Sequence, residues 1–163
     1  MISRRQLLGG AGLLVVAAAL PKLFMGSDEA NAASFPVQMT PAQWKQKLTP
    51  GQYNVLRDAG TERAGSSPLN AEHRAGTFTC AGCDNRLFSS KTKFDSGTGW
   101  PSFWKPLPKA IGTSTDRGLG MTRTEVHCAR CGGHLGHVFE DGPPPTGLRY
   151  CMNGVAMRFV PGA

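Results

Sequence analysis

At 163 residues and a formal charge of +7, the chain has the length of one ordinary domain with a short extension, and it contains no internal repeat or low-complexity tract. Its basic residues are spread through short groups such as WKQK, KTK and KPLPK. Lacking the run of about 5 to 8 basic residues that marks a nucleic-acid surface, they read as solvated surface charge, and no nucleic-acid partner is expected.

The first 32 residues have the three-part layout of an export signal: a basic start, MISRRQLLGG, an apolar run, AGLLVVAAAL, and the small-residue triplet Ala30, Asn31, Ala32. Arg4 and Arg5, preceded by Ser3 and followed by Leu7 and Leu8, form the pair read by the folded-protein (Tat) export route. The usual aromatic two residues after the second arginine is here Leu7, which leaves the general secretory route as the alternative. The apolar run over residues 9–20 is short of the ~20 residues that a membrane-spanning helix needs. No cysteine precedes Cys80 to carry a lipid. The expectation is a removed signal over residues 1–32 and a mature domain over 33–163, exported to the bacterial periplasm without a stable membrane anchor. That domain would keep a formal charge of +6, because the signal holds three basic and two acidic residues. Its length is enough to bury roughly two-thirds of the unfolded surface.

Two helix starts follow, Thr40-Pro41 and Thr49-Pro50, each a capping residue with proline at the first helical position. Both helices are short, the second running through QYNVLRD and stopping near Gly60. From residue 77 the character changes to short apolar runs: TFTC, RLF, a loop rich in proline and aromatics, EVHC, LGHVF, LRYCMN and VAMRF. Punctuated by Gly, Pro, Asn and Asp, they predict an antiparallel β domain, so the fold class is mainly β (α+β) with short N-terminal helices. GPPPTG, residues 142–147, reads as a turn too rich in proline for a strand. Over residues 148–153, alternation puts Leu148, Tyr150 and Met152 on one face and Arg149, Cys151 and Asn153 on the other. After Gly154 the parity flips, with Val155, Met157 and Phe159 together, which predicts a bulge or bend at Asn153 and Gly154.

Five cysteines follow the signal: Cys80, Cys83, Cys128, Cys131 and Cys151. CAGC and CARC are two CxxC knuckles with 44 residues between them, and four thiolates brought to about 2.3 Å of one ion make a closed tetrahedral Zn2+ site. That separation exceeds a compact zinc ribbon, so the knuckles must come from two distant hairpins. Covalent haem is excluded, because Asp84 and Gly132 stand where CxxCH needs histidine. A thioredoxin-like pair would open a helix, whereas the glycines here look like turns. Two disulfides remain the alternative to zinc. His127 adjoins Cys128 but is not needed as a ligand, and it reads as a packing or surface histidine.

The fifth cysteine is the odd one. Cys151 shares a face with Arg149, which favours a thiolate, and with Asn153, which can donate to one, although a free cysteine can also be inert packing. CGGHLGHVFEDG adds His134 and His137, followed by the acids Glu140 and Asp141, and shifts the reading towards nucleophilic chemistry. Glu125 and Arg123 flank the second knuckle without an assigned role.

Three segments then identify the resemblance: FPVQMTPAQWKQKL, CAGCDNRLFSSKTKFDSGTGWPSFWKPL, and TRTEVHCARCGGHLGHVFEDGPPPTGLRYCMNGVAMRF. Over about residues 35–160 the chain resembles the methionine-R-sulfoxide reductase (MsrB) family, the repair activity for one methionine sulfoxide epimer. The resemblance implies a peptide-methionine (R)-S-oxide reductase. In it Cys151 attacks the sulfoxide sulfur and becomes a sulfenic acid, while His137 and Asn153 activate the substrate with His134 and Asp141 in support. Trp100 would receive the substrate methyl, and Cys80, Cys83, Cys128 and Cys131 would hold one structural zinc. Phe103 is kept as core packing. Oxidised proteins or peptides would be the substrates.

The chain departs from the pattern at Thr98, where many members carry a resolving cysteine two residues before the tryptophan. With four thiols on zinc, none remains to resolve Cys151, so regeneration falls to a thioredoxin-like protein or a small thiol. A zinc-stabilised binding module is the alternative of another class. It accounts for the knuckles and the charge, but not for the odd cysteine or the paired histidines.

Overall fold

A computed structural model describes residues 35–162, and the expected export signal over residues 1–32 lies outside them. The two Thr-Pro starts become α1 (Pro41–Lys47) and α2 (Pro50–Asp58). In each, the threonine hydroxyl accepts from the backbone N–H of the glutamine three residues on, and that glutamine's side chain accepts from the threonine N–H. These reciprocal pairs, Thr40 with Gln43 and Thr49 with Gln52, satisfy donors that a helix start otherwise leaves open. Helix α2 stops at Asp58, close to the predicted stop near Gly60, with Ala59 in the left-handed conformation. It buries Val55 and Leu56, each contributing about 1.5–3 kcal/mol. No helix among the described residues is long and apolar enough to cross a membrane.

The remaining chain builds two antiparallel sheets from β1 (Gly76–Cys80), β2 (Arg86–Ser89), β3 (Lys93–Phe94), β4 (Ser102–Phe103), β5 (Ile111–Asp116), β6 (Arg123–Cys128), β7 (His134–Phe139), β8 (Arg149–Met152) and β9 (Met157–Pro161). One sheet has the order β2-β1-β9 and the other β3-β4-β8-β7-β6-β5. Their apolar faces meet through aromatic rings. Phe88 stacks on Phe103 with centroids 4.4 Å apart, and Phe78 meets Phe103 edge-on at 4.9 Å. All three are fully buried, so Phe103 is core packing as read from the sequence. The mainly β class holds.

Two features exceed what alternation predicts. Strand β5, IGTSTD, is mostly polar and runs along a sheet edge with its middle residues exposed, so it carries no apolar signal. The expected irregularity at Asn153 and Gly154 is larger than a bulge. The chain leaves the six-stranded sheet at Met152, makes a 3-10 turn over Gly154–Ala156, and joins the three-stranded sheet at Met157. The apolar parity flips there because the chain changes sheets. Met152 and Met157 are each buried, on either side of that switch.

Close approach of β7 to β8 depends on Gly136, which pairs with Met152. A Cβ at that position would lie 2.1 Å from the Cys151 carbonyl oxygen and 3.0 Å from the Met152 Cα, both backbone atoms that have nowhere to retreat. Gly136→Ala is therefore expected to cost about 3 kcal/mol in urea denaturation. A loss below about 0.5 kcal/mol would show that the two strands part without penalty.

Candidate active site and thiol cluster

The two knuckles sit in the β1–β2 and β6–β7 turns, which repeat one geometry. The Asp84 N–H donates to the Cys80 carbonyl at 2.9 Å, and the Gly132 N–H donates to the Cys128 carbonyl at 2.9 Å. Asp84 and Gly132 both take left-handed backbone, with φ of 57° and 66°. Such a turn aims both sulfurs of a knuckle the same way. All four sulfurs lie within 4.8 Å of one another, with Cys83 to Cys128 at 3.5 Å and Cys80 to Cys131 at 3.7 Å. These distances exceed the ~2.05 Å of a disulfide and match the ~3.8 Å edge of a tetrahedron with bonds of about 2.3 Å. The four buried thiols can thus hold a metal ion. His127 stands apart, its ring edge-on to Phe35 at 5.6 Å.

Cys151 lies elsewhere, half-buried on β8 between β4 and β7, where it pairs with Ser102 on one side and His137 on the other. It lines a pocket of about 160 Å3 together with Trp100, His137, Arg123, Asn153 and Thr61. Of the residues singled out in the sequence, Cys151, His137, Asn153 and Trp100 are therefore brought together. His134 is buried behind His137, with ring centroids 5.4 Å apart. Asp141 is not in the pocket. It is exposed and takes a two-pronged ion pair from Arg149 at 2.8 Å, so it bears on the site through that arginine. The Asn153 amide is committed in part, accepting from the Glu62 N–H at 3.0 Å and donating to the Leu135 carbonyl at 3.1 Å. It is also nearly fully buried, on the face that alternation along β8 assigned to Arg149, Cys151 and Asn153.

The carboxylates that serve the histidines are not the neighbouring Glu140 and Asp141. His137 Nε2 meets Asp116 at 2.8 Å, from β5, and His134 Nδ1 meets Glu125 at 2.7 Å, from β6. Arg123 donates to the same Asp116 oxygen at 2.6 Å. The Gly118 N–H, His137 and Arg123 together hold the Asp116 carboxyl down at about 2. Burial pushes His137 below the ordinary histidine range, against the pull of Asp116. Burial also works to raise Glu125, but hydrogen bonds from Ser114 and His134 outweigh it and hold that carboxyl low.

Sequence reading missed Asp116 because β5 itself gave no signal. It also missed Glu62, which sits in an irregular stretch. The Glu62 carboxylate accepts from the N–H groups of Gly154 and Val155 at 2.5 and 3.0 Å, while its carbonyl accepts from the Trp100 indole at 3.2 Å. With its N–H on Asn153, one residue fixes three parts of the pocket. Glu125 and Arg123, left without roles in the sequence, turn out to be the partners of His134 and Asp116.

Because Asp116 is the group that opposes burial at His137, Asp116→Asn should make His137 harder to protonate. An NMR titration of the His137 ring is expected to find its midpoint at lower pH than in the wild type. An unchanged or higher midpoint would mean that the carboxylate does not govern this imidazole.

Residues 48–161 match the family model described as SelR domain. The chain is 54% identical over 126 residues to "Peptide methionine sulfoxide reductase MsrB" of Agrobacterium fabrum (strain C58 / ATCC 33970), covering 77% of this chain and 93% of that protein. Proteins of the same name from Bradyrhizobium diazoefficiens (56% over 120 residues, 73% and 86% covered) and Leifsonia xyli subsp. xyli (50% over 135 residues, 82% and 97% covered) are similarly related. Such identity along nearly the full length of these relatives, together with the family match, makes this chain a member of the SelR-domain (MsrB) family of oxidoreductases.

Proposed function

We propose that the protein reduces methionine-R-sulfoxide to methionine by nucleophilic attack of Cys151, and that an external thiol regenerates it. The observation that carries the reading is a half-buried thiol lining a pocket of about 160 Å3, with an indole as one lining group and polar side chains among the others. That volume suits one side chain, not a drug-sized ligand. The Cys151 thiolate attacks the sulfoxide sulfur, the oxygen leaves it for Cys151, and methionine departs with a sulfenic acid left on the enzyme. His137 supplies a proton to the sulfoxide oxygen, an effect worth in general about 10² to 10⁴ in rate. Trp100 takes the methyl group, Asn153 and His134 line and support the site, and Asp141 steadies Arg149. The opposite epimer would exchange methyl and oxygen and misplace one of them.

Two thiols complete the cycle. The first displaces water from the sulfenic acid to form a mixed disulfide with Cys151, and the second releases Cys151 as a thiol together with the oxidised reductant. A thioredoxin-like protein or a small dithiol fits this role, since the four remaining cysteines are gathered in a separate buried cluster. Protein-bound substrate is preferred. Clefts of about 420 and 510 Å3 adjoin the pocket, one sharing Trp100 and the other Thr61, Arg123 and His137, and they leave room for chain on both sides of a methionine.

The metal in this reading is zinc, held by Cys80, Cys83, Cys128 and Cys131. When bound it supplies no step of the reaction and ties the β1–β2 and β6–β7 turns together. The signal over residues 1–32 would carry the protein to the periplasm by the folded route, so that zinc loads in the reducing cytoplasm before the thiols meet oxidant.

Turnover of the separate R and S epimers with a dithiol tests the reaction. The R epimer is expected to be consumed and the S epimer spared. Cys151→Ser should lose more than about 10³ in rate while keeping its zinc. Mass spectrometry after substrate alone should find Cys151 as sulfenic acid. Unchanged turnover in Cys151→Ser, or a stable bond from Cys151 to a knuckle cysteine, would overturn the mechanism.

Zinc and export are tested on protein recovered from the periplasm of an expressing bacterium. It should begin at Ala33 and carry one zinc, and Cys80→Ser should lose the metal together with several kcal/mol of stability. An active, zinc-free, disulfide-bonded form would sink the zinc reading.

A further inference from the structure

Thr98 stands where many relatives were expected to carry a second thiol, and its hydroxyl Oγ1 lies 3.8 Å from the Cys151 sulfur. Behind it runs a line of hydroxyls. Thr98 Oγ1 is 2.8 Å from Ser96 Oγ, and Ser96 Oγ is 2.8 Å from Ser102 Oγ. Ser102 is fully buried and donates to the Trp100 carbonyl at 3.1 Å. It is also the strand partner of Cys151 across β4 and β8, so the line starts and ends at one point of the sheet.

Each hydroxyl has one proton to donate, and this fixes how the line can be ordered. With Cys151 as a thiol, S–H donates to Thr98, Thr98 to Ser96, Ser96 to Ser102, and Ser102 to the Trp100 carbonyl. Every donor has an acceptor. With Cys151 as a thiolate, Thr98 turns to donate to sulfur and Ser96 turns to donate to Thr98, while Ser102 keeps its carbonyl. Only two hydroxyl rotors move, and the hydrogen bond lost between Ser96 and Ser102 is exchanged for a charge-assisted one to sulfur. Charge-assisted bonds are roughly twice as strong as neutral ones, and the Ser96 hydroxyl polarises Thr98 in the same direction.

We propose that Thr98 is a further catalytic residue, donating its hydroxyl to the Cys151 thiolate, and that Ser96 and Ser102 are positioning residues that turn and polarise it. The proposal rests on the reading of Cys151 as the nucleophile. The charged and titratable groups around the sulfur are His137 on β7 and Arg123 on β6, which line the pocket, and Arg149 on β8, whose guanidinium contacts the Cys151 sulfur. Asp141 and Asp116 pair with the two arginines, and Asp116 also takes His137. Thr98 is thus a donor to the sulfur that has no carboxylate partner of its own.

The test is the rate at which iodoacetamide alkylates Cys151, followed on its own peptide by mass spectrometry across pH in the full mature protein. Thr98→Val keeps the shape and removes the hydroxyl. It should alkylate about tenfold more slowly near neutral pH and converge with the wild type at alkaline pH, where the thiol is ionised without help. Thr98→Ser, which keeps the donor, should stay within about twofold, and Ser96→Ala should fall by about two- to threefold in the same pH-dependent way. A wild-type profile in Thr98→Val, or slowing by one factor at every pH, would overturn the proposal. Should Thr98→Val fail to fold, a wild-type profile in Ser96→Ala overturns it instead. Turnover of Cys151→Ser separates the two ideas. If that variant reduces sulfoxide, the nucleophile reading fails, whereas if Cys151 is essential and Thr98→Val alkylates normally, only the role of Thr98 falls.

Discussion

Cys151 is held in one strand register, opposite Ser102 on β4 and opposite His137 on β7, and nearly every feature of the pocket descends from that alignment. Side chains alternate along a strand, so a slip of one residue would send the thiol to the core and Met152 to the pocket. The buried Met152 and the Phe88 to Tyr150 contact on the opposite face penalise that slip, because each loses apolar burial of about 1.5–3 kcal/mol per side chain. Gly136 reinforces the same register by letting β7 approach where a side chain would strike the Cys151 carbonyl. Packing on one face thus aims the chemistry on the other.

Fixing β8 does not by itself fix its surroundings, and two further devices do so. The thiol cluster sits where the turns before β2 and β7 meet, at the start of the strand that bears His134 and His137, and a metal held there would anchor that strand at its first residues. Glu62 is the second device. It caps the 3-10 turn that follows β8 through two N–H groups and grips Trp100 and Asn153 through its own backbone. Hydrogen bonds to a charged acceptor contribute about 1.5–3 kcal/mol each, more than the ion pair of Arg158 with Asp84 offers, where solvent screens both partners.

The sequence reveals the local devices more fully than the long-range ones. Thr40-Pro41 and Thr49-Pro50 announce their helices because a cap is a contact between residues three apart. The double knuckle announces four clustered thiols because few other folds use that spacing. Alternation around Cys151 reveals which residues share its face, and the parity flip after Gly154 reveals the break between the sheets. Asp116 is invisible for the opposite reason. It reaches His137 across two strand pairings from a polar edge strand, and no periodicity encodes that. Asp141, next to the histidines in sequence, was the natural candidate, but β7 has ended at Phe139 before it and the turn carries it out to Arg149. Glu62, Ser96 and Thr98 lie in irregular chain, where position is set only by the finished fold.

The charges around the sulfur also bear on which substrate suits the site. Arg149 and Arg123 would each stabilise a thiolate or attract an anion, yet each is already paired on its far side, with Asp141 and with Asp116. At an effective dielectric constant of about 20, one unit charge 4 Å away is worth about 4 kcal/mol, and an opposite charge close behind cancels much of that. The pocket therefore presents oriented dipoles more than net charge. A sulfoxide is neutral but strongly dipolar, so oriented N–H and O–H groups discriminate it from both anions and plain thioethers. Beside the arginines, a short-range hydroxyl donor can add to the stabilisation of a thiolate at this position. A hydroxyl at 3.8 Å with a second hydroxyl behind it is a donor of that kind. A threonine at this position can donate to a thiolate and, unlike a thiol, cannot form a disulfide with a sulfenic acid on the same sulfur.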